Sequence, residues 1–290
     1  MRKTYKTIIL LVSLITLLVI YFFNSEYIIK CFLDYNELFY TKLFPVSFIF
    51  FILSTILIEY KILDIIPINI NSIYVYLLSF ISGFPSGAKY TKELLNNDNI
   101  TKKEASTLLL FSHFPNPLFV LGPISLVLNK KICIKLLLSI ILSNLLILLF
   151  TKKHKKKNNS IIYPNSFSNV LKKSIYKSIK TIILIYGTSI FFYLISSIII
   201  KYFTFNPYYY VLLSGTFDLT KGIFSTTIIN DIIIRSIFIL IFISFGSISI
   251  HMQVKSILED TSLYKSFIKG RIIGTILAII IFLLLIIPTR

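Results

Sequence analysis

The chain has 290 residues, 56% of them hydrophobic and only 14% charged, with a mean hydropathy of +0.83 and a net charge of +18. Its apolar residues run continuously instead of alternating or recurring on one helical face, which excludes a soluble globular domain and marks a polytopic membrane protein in a lipid bilayer. In a soluble protein such a charge would point to nucleic acid. Here the basic residues cluster in short loops and flanks beside apolar runs, so the charge reads as topology and no nucleic-acid partner is expected.

From the N-terminus, Arg2, Lys3 and Lys6 precede an apolar run from Ile8 to Phe23. This imitates a signal peptide, but Asn24-Ser25-Glu26-Tyr27 offers no small-x-small cleavage site, so an uncleaved first helix is expected. Cys31 and Cys133 have neither metal-ligand spacing nor a disulfide pattern. Apolar elements follow at 43–60, 72–95, 104–128, 131–150, 176–200, 207–226, 230–257 and 266–288. Two of them carry helix breakers and charges: Gly83, Pro85 and Gly87 in 72–95, and Gly215, Asp218, Lys221 and Gly222 in 207–226. Such residues are tolerated at membrane depth only where backbone is buried in protein or lines a water-filled cavity.

The basic residues set the parity. Arg2, Lys3 and Lys6, and later Lys152, Lys153, Lys155, Lys156 and Lys157, require the N-terminus and the central loop to share the cytoplasmic side. Five apolar elements lie between them, so one does not span, and the broken 72–95 is the natural re-entrant hairpin. With 207–226 re-entrant from the outside, 20 of the 30 Lys and Arg fall in cytoplasmic flanks and 7 outside, leaving Lys89, Lys221 and Arg235 in or near the membrane.

The expected fold is therefore an all-α polytopic membrane protein with two inverted repeats, each with a re-entrant helical hairpin and a discontinuous helix, plus one N-terminal helix. Residues 1–42 form an N-terminal anchor helix and outer loop, 43–150 the first repeat, 151–175 a basic cytoplasmic linker and 176–290 the second repeat. Duplication shows in a recurring Ser-Gly-x5-Lys: Ser82, Gly83 and Lys89 recur 132 positions later as Ser214, Gly215 and Lys221. Ser112 and Ser244 keep the same offset.

The stretch Ser82 to Lys89 superficially resembles a phosphate loop, but its spacing is not G-x-x-x-x-G-K-[ST] and no strand precedes it. It reads better as a hairpin tip, whose freed backbone N–H groups favour an anion. The elements after the hairpins also have polar centres: Phe111 to Phe119, with Ser112, His113, Pro115, Asn116 and Pro117, and Ser244 to Gln253, with Gly246, Ser247, Ser249 and His251. Each looks like a discontinuous helix lining the same cavity.

The strings SGFPSGAK, FSHFPNPLFVLG and SFGSISIHMQVKSIL, with Thr101-Lys-Lys-Glu-Ala between the first two, resemble the YlbJ-type sporulation integral membrane proteins of the Gate, or nucleoside recognition, domain group. The resemblance runs from about residue 40 to about residue 275, with the motifs in the expected order. It implies a Gate-domain architecture related to concentrative nucleoside transporters and a role in endospore formation. It also implies movement of dipicolinic acid from the mother cell across the outer forespore membrane.

Dipicolinate carries two carboxylates, and Lys89 and Lys221, one per repeat and partly screened by Asp218, are the candidates to meet them. The full candidate set is Ser82, Gly83, Pro85, Ser86, Gly87, Lys89, Asn116, Pro117, Ser214, Gly215, Asp218, Lys221, Ser247, Ser249, His251 and Gln253. Each has a structural alternative: the lysines snorkel to headgroups, the serines serve helix packing, and His113 or His251 serves a packing hydrogen bond. No HExxH, no paired acids in an apolar segment and no Ser/His/Asp order is present, so neither an enzyme, a metal nor a cofactor is expected. The expected function is transport of a small anion. The alternatives are a non-transporting scaffold for spore assembly and a nucleoside-type transporter, and a homo-oligomer is left open.

Overall fold

A computed structural model describes residues 2–60, 71–96, 98–151 and 166–287, and among these every regular element is helical. The basic run from Lys152 to Lys157, on which the parity argument leans, lies outside the described residues. Four helices are long and apolar enough to cross a membrane: Lys130–Phe150, Phe167–Tyr202, Ile232–Leu258 (counted through a break) and Thr261–Ile286. A fifth is reached if a bent N-terminal pair counts as one span.

That pair is α1 (Arg2–Phe23) and α2 (Ser25–Leu38), which meet at 93°. Where the sequence suggested an outer loop, residues 25–38 are helical, and a π turn at Phe39–Leu43 carries the chain into α3 (Phe44–Glu59). The reason is a stripe every fourth position: Cys31, Tyr35, Phe39 and Leu43 are all buried. A four-residue repeat is wider than the 3.6 residues of an α-helix, and the wider π turn keeps the stripe facing one way. The Tyr35 ring lies 5.1 Å from that of Tyr193 and 5.9 Å from that of Tyr186. Asn24 fixes the corner, its Oδ1 accepting from Lys201 Nζ at 2.6 Å and from the Tyr202 hydroxyl at 2.8 Å.

The first expected hairpin region is α4 (Asn71–Ser82) and α5 (Ser86–Asn96), in contact with each other across the break Gly83-Phe84-Pro85. Element 104–128 is not one helix. It is α6 (Lys102–Leu108), an extended stretch, α7 (Pro117–Leu121) and a 3-10 turn at Pro123–Leu126. Two prolines account for this, since each removes an amide donor and disfavours α geometry in the preceding residue. Thr101 and Glu104 close a capping box that starts α6, and Asn116 caps α7 through its contact with the Leu118 amide. Then comes α8 (Lys130–Phe150), capped by Asn129.

In the second half, α9 (Phe167–Tyr202) has 36 residues. At 1.5 Å per residue it is about 54 Å long, well beyond a ~30 Å hydrocarbon core. It takes over the end of the expected linker because Val170, Ser174, Ser178 and Ile182 continue one buried face at helical spacing. The second expected hairpin region is α10 (Pro207–Phe217) and α11 (Leu219–Ser225), broken at Asp218. The helix after it is split at Gly246 and Ser247 into α12 (Ile232–Phe245) and α13 (Ile248–Leu258). Gly246 adopts φ +94, a conformation that favours glycine, so the break is written into the chain there. Finally α14 (Thr261–Ile286) begins at the cap Asp260.

Lipid tails are as apolar as leucine, so these helices are held less by hydrophobicity than by close packing and interhelical hydrogen bonds. One buried cluster accordingly runs from Val75 through Phe111, Leu136 and Ile239 to Phe282, drawing on both halves of the chain. Small residues set the closest approaches. A Cβ on Gly270 of α14 would stand 2.2 Å from the Leu110 carbonyl oxygen, and one on Gly222 would stand 2.2 Å from Gly215 Cα.

Candidate functional site

The first break and the first discontinuous element pack directly on one another. Gly83 adopts φ +72 with Asn116 against it: an added Cβ would lie 2.8 Å from the Asn116 amide nitrogen. Gly87 is tighter still, its imagined Cβ only 1.6 Å from the Ser112 carbonyl oxygen. Phe84 stacks on His113 with centroids 5.0 Å apart and planes 15° apart, and Phe84-Pro85 is a cis peptide. The Ser82 and Tyr90 hydroxyls pair at 2.7 Å, and the Ser86 side chain also meets Tyr90. Thus Ser82, Gly83, Pro85, Ser86, Gly87, Asn116 and Pro117 do share one neighbourhood, built by glycines that admit backbone where side chains would collide.

The second half assembles a different neighbourhood. Asp218 caps α11, its Oδ1 accepting the Lys221 amide at 3.0 Å, while its Oδ2 stands 3.4 Å from Ser249 Oγ. Ser249 in turn pairs with Ser247 at 2.7 Å, and Ser189 of α9 also meets the carboxylate. Lys221 Nζ donates to Ser197 Oγ at 2.6 Å and Ser196 Oγ at 3.0 Å, and lies 4.6 Å from the centroid of the Tyr193 ring. Both serine hydroxyls pass their own protons to the Tyr193 carbonyl at 2.8 Å. Gln253 donates to Thr188 Oγ1 at 2.8 Å. Thr188, Ser189, Tyr193, Ser196 and Ser197 together make a polar seam on α9.

The repeated Ser-Gly-x5-Lys is only partly a structural repeat. Lys89 and Lys221 both occupy the first turn of the helix after a break, but Gly215 does not mirror Gly83. Gly215 lies inside α10, against Gly222 and the Phe242 ring, and the chain breaks three residues later at Asp218.

The two lysines are not brought together. Lys89 lies within electrostatic reach of Lys177, Glu93, Glu59 and Lys180, whereas Lys221 contacts Ser196 and Ser197. Lys177 and Ser196 belong to one helix, about 28 Å apart at 1.5 Å per residue. A clamp with one lysine on each carboxylate is therefore absent from this arrangement, because each lysine stays with the level of α9 that its own helix crosses.

At the centre stands a residue that sequence reasoning assigned to the basic flanks, Arg271 of α14. It is 1% exposed and the largest fully buried side chain among the described residues. Its Nη2 donates to the Leu110 carbonyl at 3.0 Å and to Asn144 Oδ1 at 3.3 Å. Its Nη1 donates to the His113 carbonyl at 3.3 Å and the Ser244 carbonyl at 3.4 Å. These carbonyls belong to the chain leaving α6 and to the end of α12, so one guanidinium satisfies groups freed at both discontinuities. Helix C-termini carry partial negative charge, which suits a cation without a carboxylate. The available signal was its position: Gly270-Arg271-Ile272-Ile273-Gly274 opens into an uninterrupted apolar run.

The histidines sit beside it. His251 bridges the Tyr264 hydroxyl (Nδ1, 3.0 Å) and the Phe245 carbonyl (Nε2, 3.1 Å), spanning the second break. Phe267 lies edge-on to both His113 and His251, at 5.2 and 5.5 Å. The two breaks are thus joined through Arg271, Phe267 and the histidines. Among the described residues no group of His, Cys, Asp and Glu has a metal-binding arrangement. No protein-family model matches the chain, no curated protein matches its sequence, and no solved structure matches it.

Proposed function

We propose that this protein is a membrane transporter of a small anionic metabolite, built from two inverted repeats whose hairpins re-enter the bilayer from opposite faces. The single observation that carries the reading is the meeting of two chain breaks around Arg271, which is fully buried with no carboxylate among its hydrogen-bond partners in the described residues. Broken helices and an unpaired cation at membrane depth are costly features whose usual use is a translocation site.

Contacts between helix ends support the inverted arrangement. Glu59 pairs with Lys173 and Lys177, and Lys92 and Lys102 pair with Glu259 and Asp260. Lys92, which pairs with Glu259 and donates to the Leu258 carbonyl, ties the later part of α5 to this face, which the basic residues assign to the cytoplasm. Asn24 with Lys201, and Arg235 with the Val127 and Ile229 carbonyls, belong to the opposite face. On this reading α4–α5 enters and leaves on the first face, and α10–α11 on the second. Dipicolinate and a sporulation role are named from the resemblance to the YlbJ-type proteins, and an anion fits the neighbourhood of the fully buried Arg271 guanidinium.

The test is flux. Liposomes holding the purified chain should take up dipicolinate saturably, with isophthalate competing and uncharged pyridine not. A scaffold for spore assembly is the second reading, favoured by the protein groups that already engage the Lys221 ammonium and both terminal nitrogens of Arg271. It is distinguished by absent flux together with a deletion strain whose spore morphology fails before its dipicolinate content falls.

A further inference from the structure

Asp218 is 0% exposed and sits among hydroxyls, with the Lys221 ammonium nearby but bonded elsewhere. Its Oδ1 is taken by the Lys221 amide, while its Oδ2 faces Ser249 Oγ at 3.4 Å, beside Ser247 Oγ and the Ser189 side chain. Ser214, one turn earlier, is fully buried with no partner for its hydroxyl among the described residues. The ammonium of Lys221, the nearest basic group in sequence, is directed to Ser196, Ser197 and Tyr193, and no ion pair joins it to Asp218 among the described residues. An ionised carboxylate at this depth is expensive unless something compensates its charge.

We propose that Asp218 Oδ2, with the hydroxyls of Ser189 and Ser249, forms a binding site for a monovalent cation, sodium being the fitting ion. Carboxylate and hydroxyl oxygens are hard ligands suited to hard cations. Two oxygens at about 2.4 Å from one such ion, on adjacent corners of its polyhedron, stand about 3.4 Å apart. That is the Asp218 to Ser249 separation, long for a hydroxyl–carboxylate hydrogen bond and right for a coordination edge. Charge selects the valence: one carboxylate among neutral hydroxyls balances a single positive charge, and the nearby Lys221 ammonium opposes a second.

Further buried hydroxyls line α9. On the face that bears Ser189, Ser174 and Ser178 are buried with hydroxyls that lack partners among the described residues, leading toward the end of α9 that pairs with Glu59. The site lies beyond the anion reading and does not depend on it, because it is tested by binding and not by flux.

The purified full chain in detergent is heated at fixed pH and fixed ionic strength while choline chloride is replaced by sodium chloride. The expected result is a saturable rise in the unfolding midpoint with sodium, abolished in Asp218→Asn. Ser249→Ala, which keeps the carboxylate, should need about tenfold more sodium for the same rise. No rise with sodium, an equal rise with potassium or with choline, or a full response in Asp218→Asn overturns the proposal. Should Asp218→Asn fail to fold, the Ser249→Ala titration decides, and an unchanged sodium dependence there overturns it. A midpoint that answers to pH but not to sodium would place a proton on Asp218 instead, with the same consequence.

Discussion

The Arg271 guanidinium donates to the His113 carbonyl at 3.3 Å, tying α14 to a chain break 158 residues earlier. The same side chain reaches the Ser244 carbonyl at the other break, so one residue hydrogen-bonds both discontinuities. Replacing Arg271 by Met should leave the Leu110, His113 and Ser244 carbonyls and Asn144 Oδ1 without this donor. The His113 carbonyl keeps the Asn144 amide, and each of the other three acceptors costs about 1–3 kcal/mol when left unsatisfied, so a loss of at least about 3 kcal/mol is expected. Unfolding in mixed detergent measures it. Arg271→Lys should recover only part, because one ammonium cannot reach four acceptors laid out for a planar fork.

Two glycine substitutions should separate sharply. Gly87→Ala puts a methyl 1.6 Å from the Ser112 carbonyl oxygen, backbone against backbone, and should cost at least about 2–3 kcal/mol by overpacking. Gly187→Ala, within α9 and with nothing within 4 Å of the new Cβ, should stabilise by up to about 1 kcal/mol through helix propensity. Thermal midpoints of the two variants check the contrast, and equal effects would contradict the packing of the first break on residue 112.

Lys89 and Lys221 should behave as independent residues. Lys89→Met and Lys221→Met combined should change stability by the sum of the single effects to within about 0.3–0.5 kcal/mol, the rule for separated sites. A larger coupling in the double-mutant cycle would mean that the two share a site after all.

A pH response should trace to Asp260. The Lys102 ammonium at 2.6 Å, with hydrogen bonds from Ser262 and the Leu263 amide, holds this partly exposed carboxyl below its ordinary value of 3.8. The folded form therefore favours the ionised carboxylate. Its stabilising contribution is complete above the unfolded value and is lost as pH falls below about 4 through the depressed folded value. Midpoints of the wild-type chain and Asp260→Asn should accordingly differ at pH 6 and converge as pH drops below 4, with the difference shrinking in high salt.

Much of the backbone course was legible in the residues themselves. Pro115 and Pro117 cannot sit inside a continuous helix, Gly246 favours a left-handed conformation, and Gly83 with Pro85 marks a break, so the interruptions fall where local chemistry places them. The helical course of residues 25–38 was written in the spacing of Cys31, Tyr35, Phe39 and Leu43, but four charged residues among them, Glu26, Lys30, Asp34 and Glu37, made it look like a loop. The equivalence of Gly83 and Gly215 failed for a related reason: a shared dipeptide fixes residue type, whereas the turn formed where Asp218 could cap α11.

By itself the sequence determined the class of the protein, because uninterrupted apolar runs have no other solvent than lipid, and it determined where helices stop. The tertiary structure alone decided which polar groups meet. Arg271 looked like a flanking charge and became the link between the two breaks, Lys89 and Lys221 looked like partners and lie at different levels of α9, and Asp218 found hydroxyls from two other helices. Local backbone preferences act over a few residues, while the partners of a buried charge are chosen by packing between separate segments, 31 residues apart for Asp218 and Ser249 and 161 for Arg271 and Leu110.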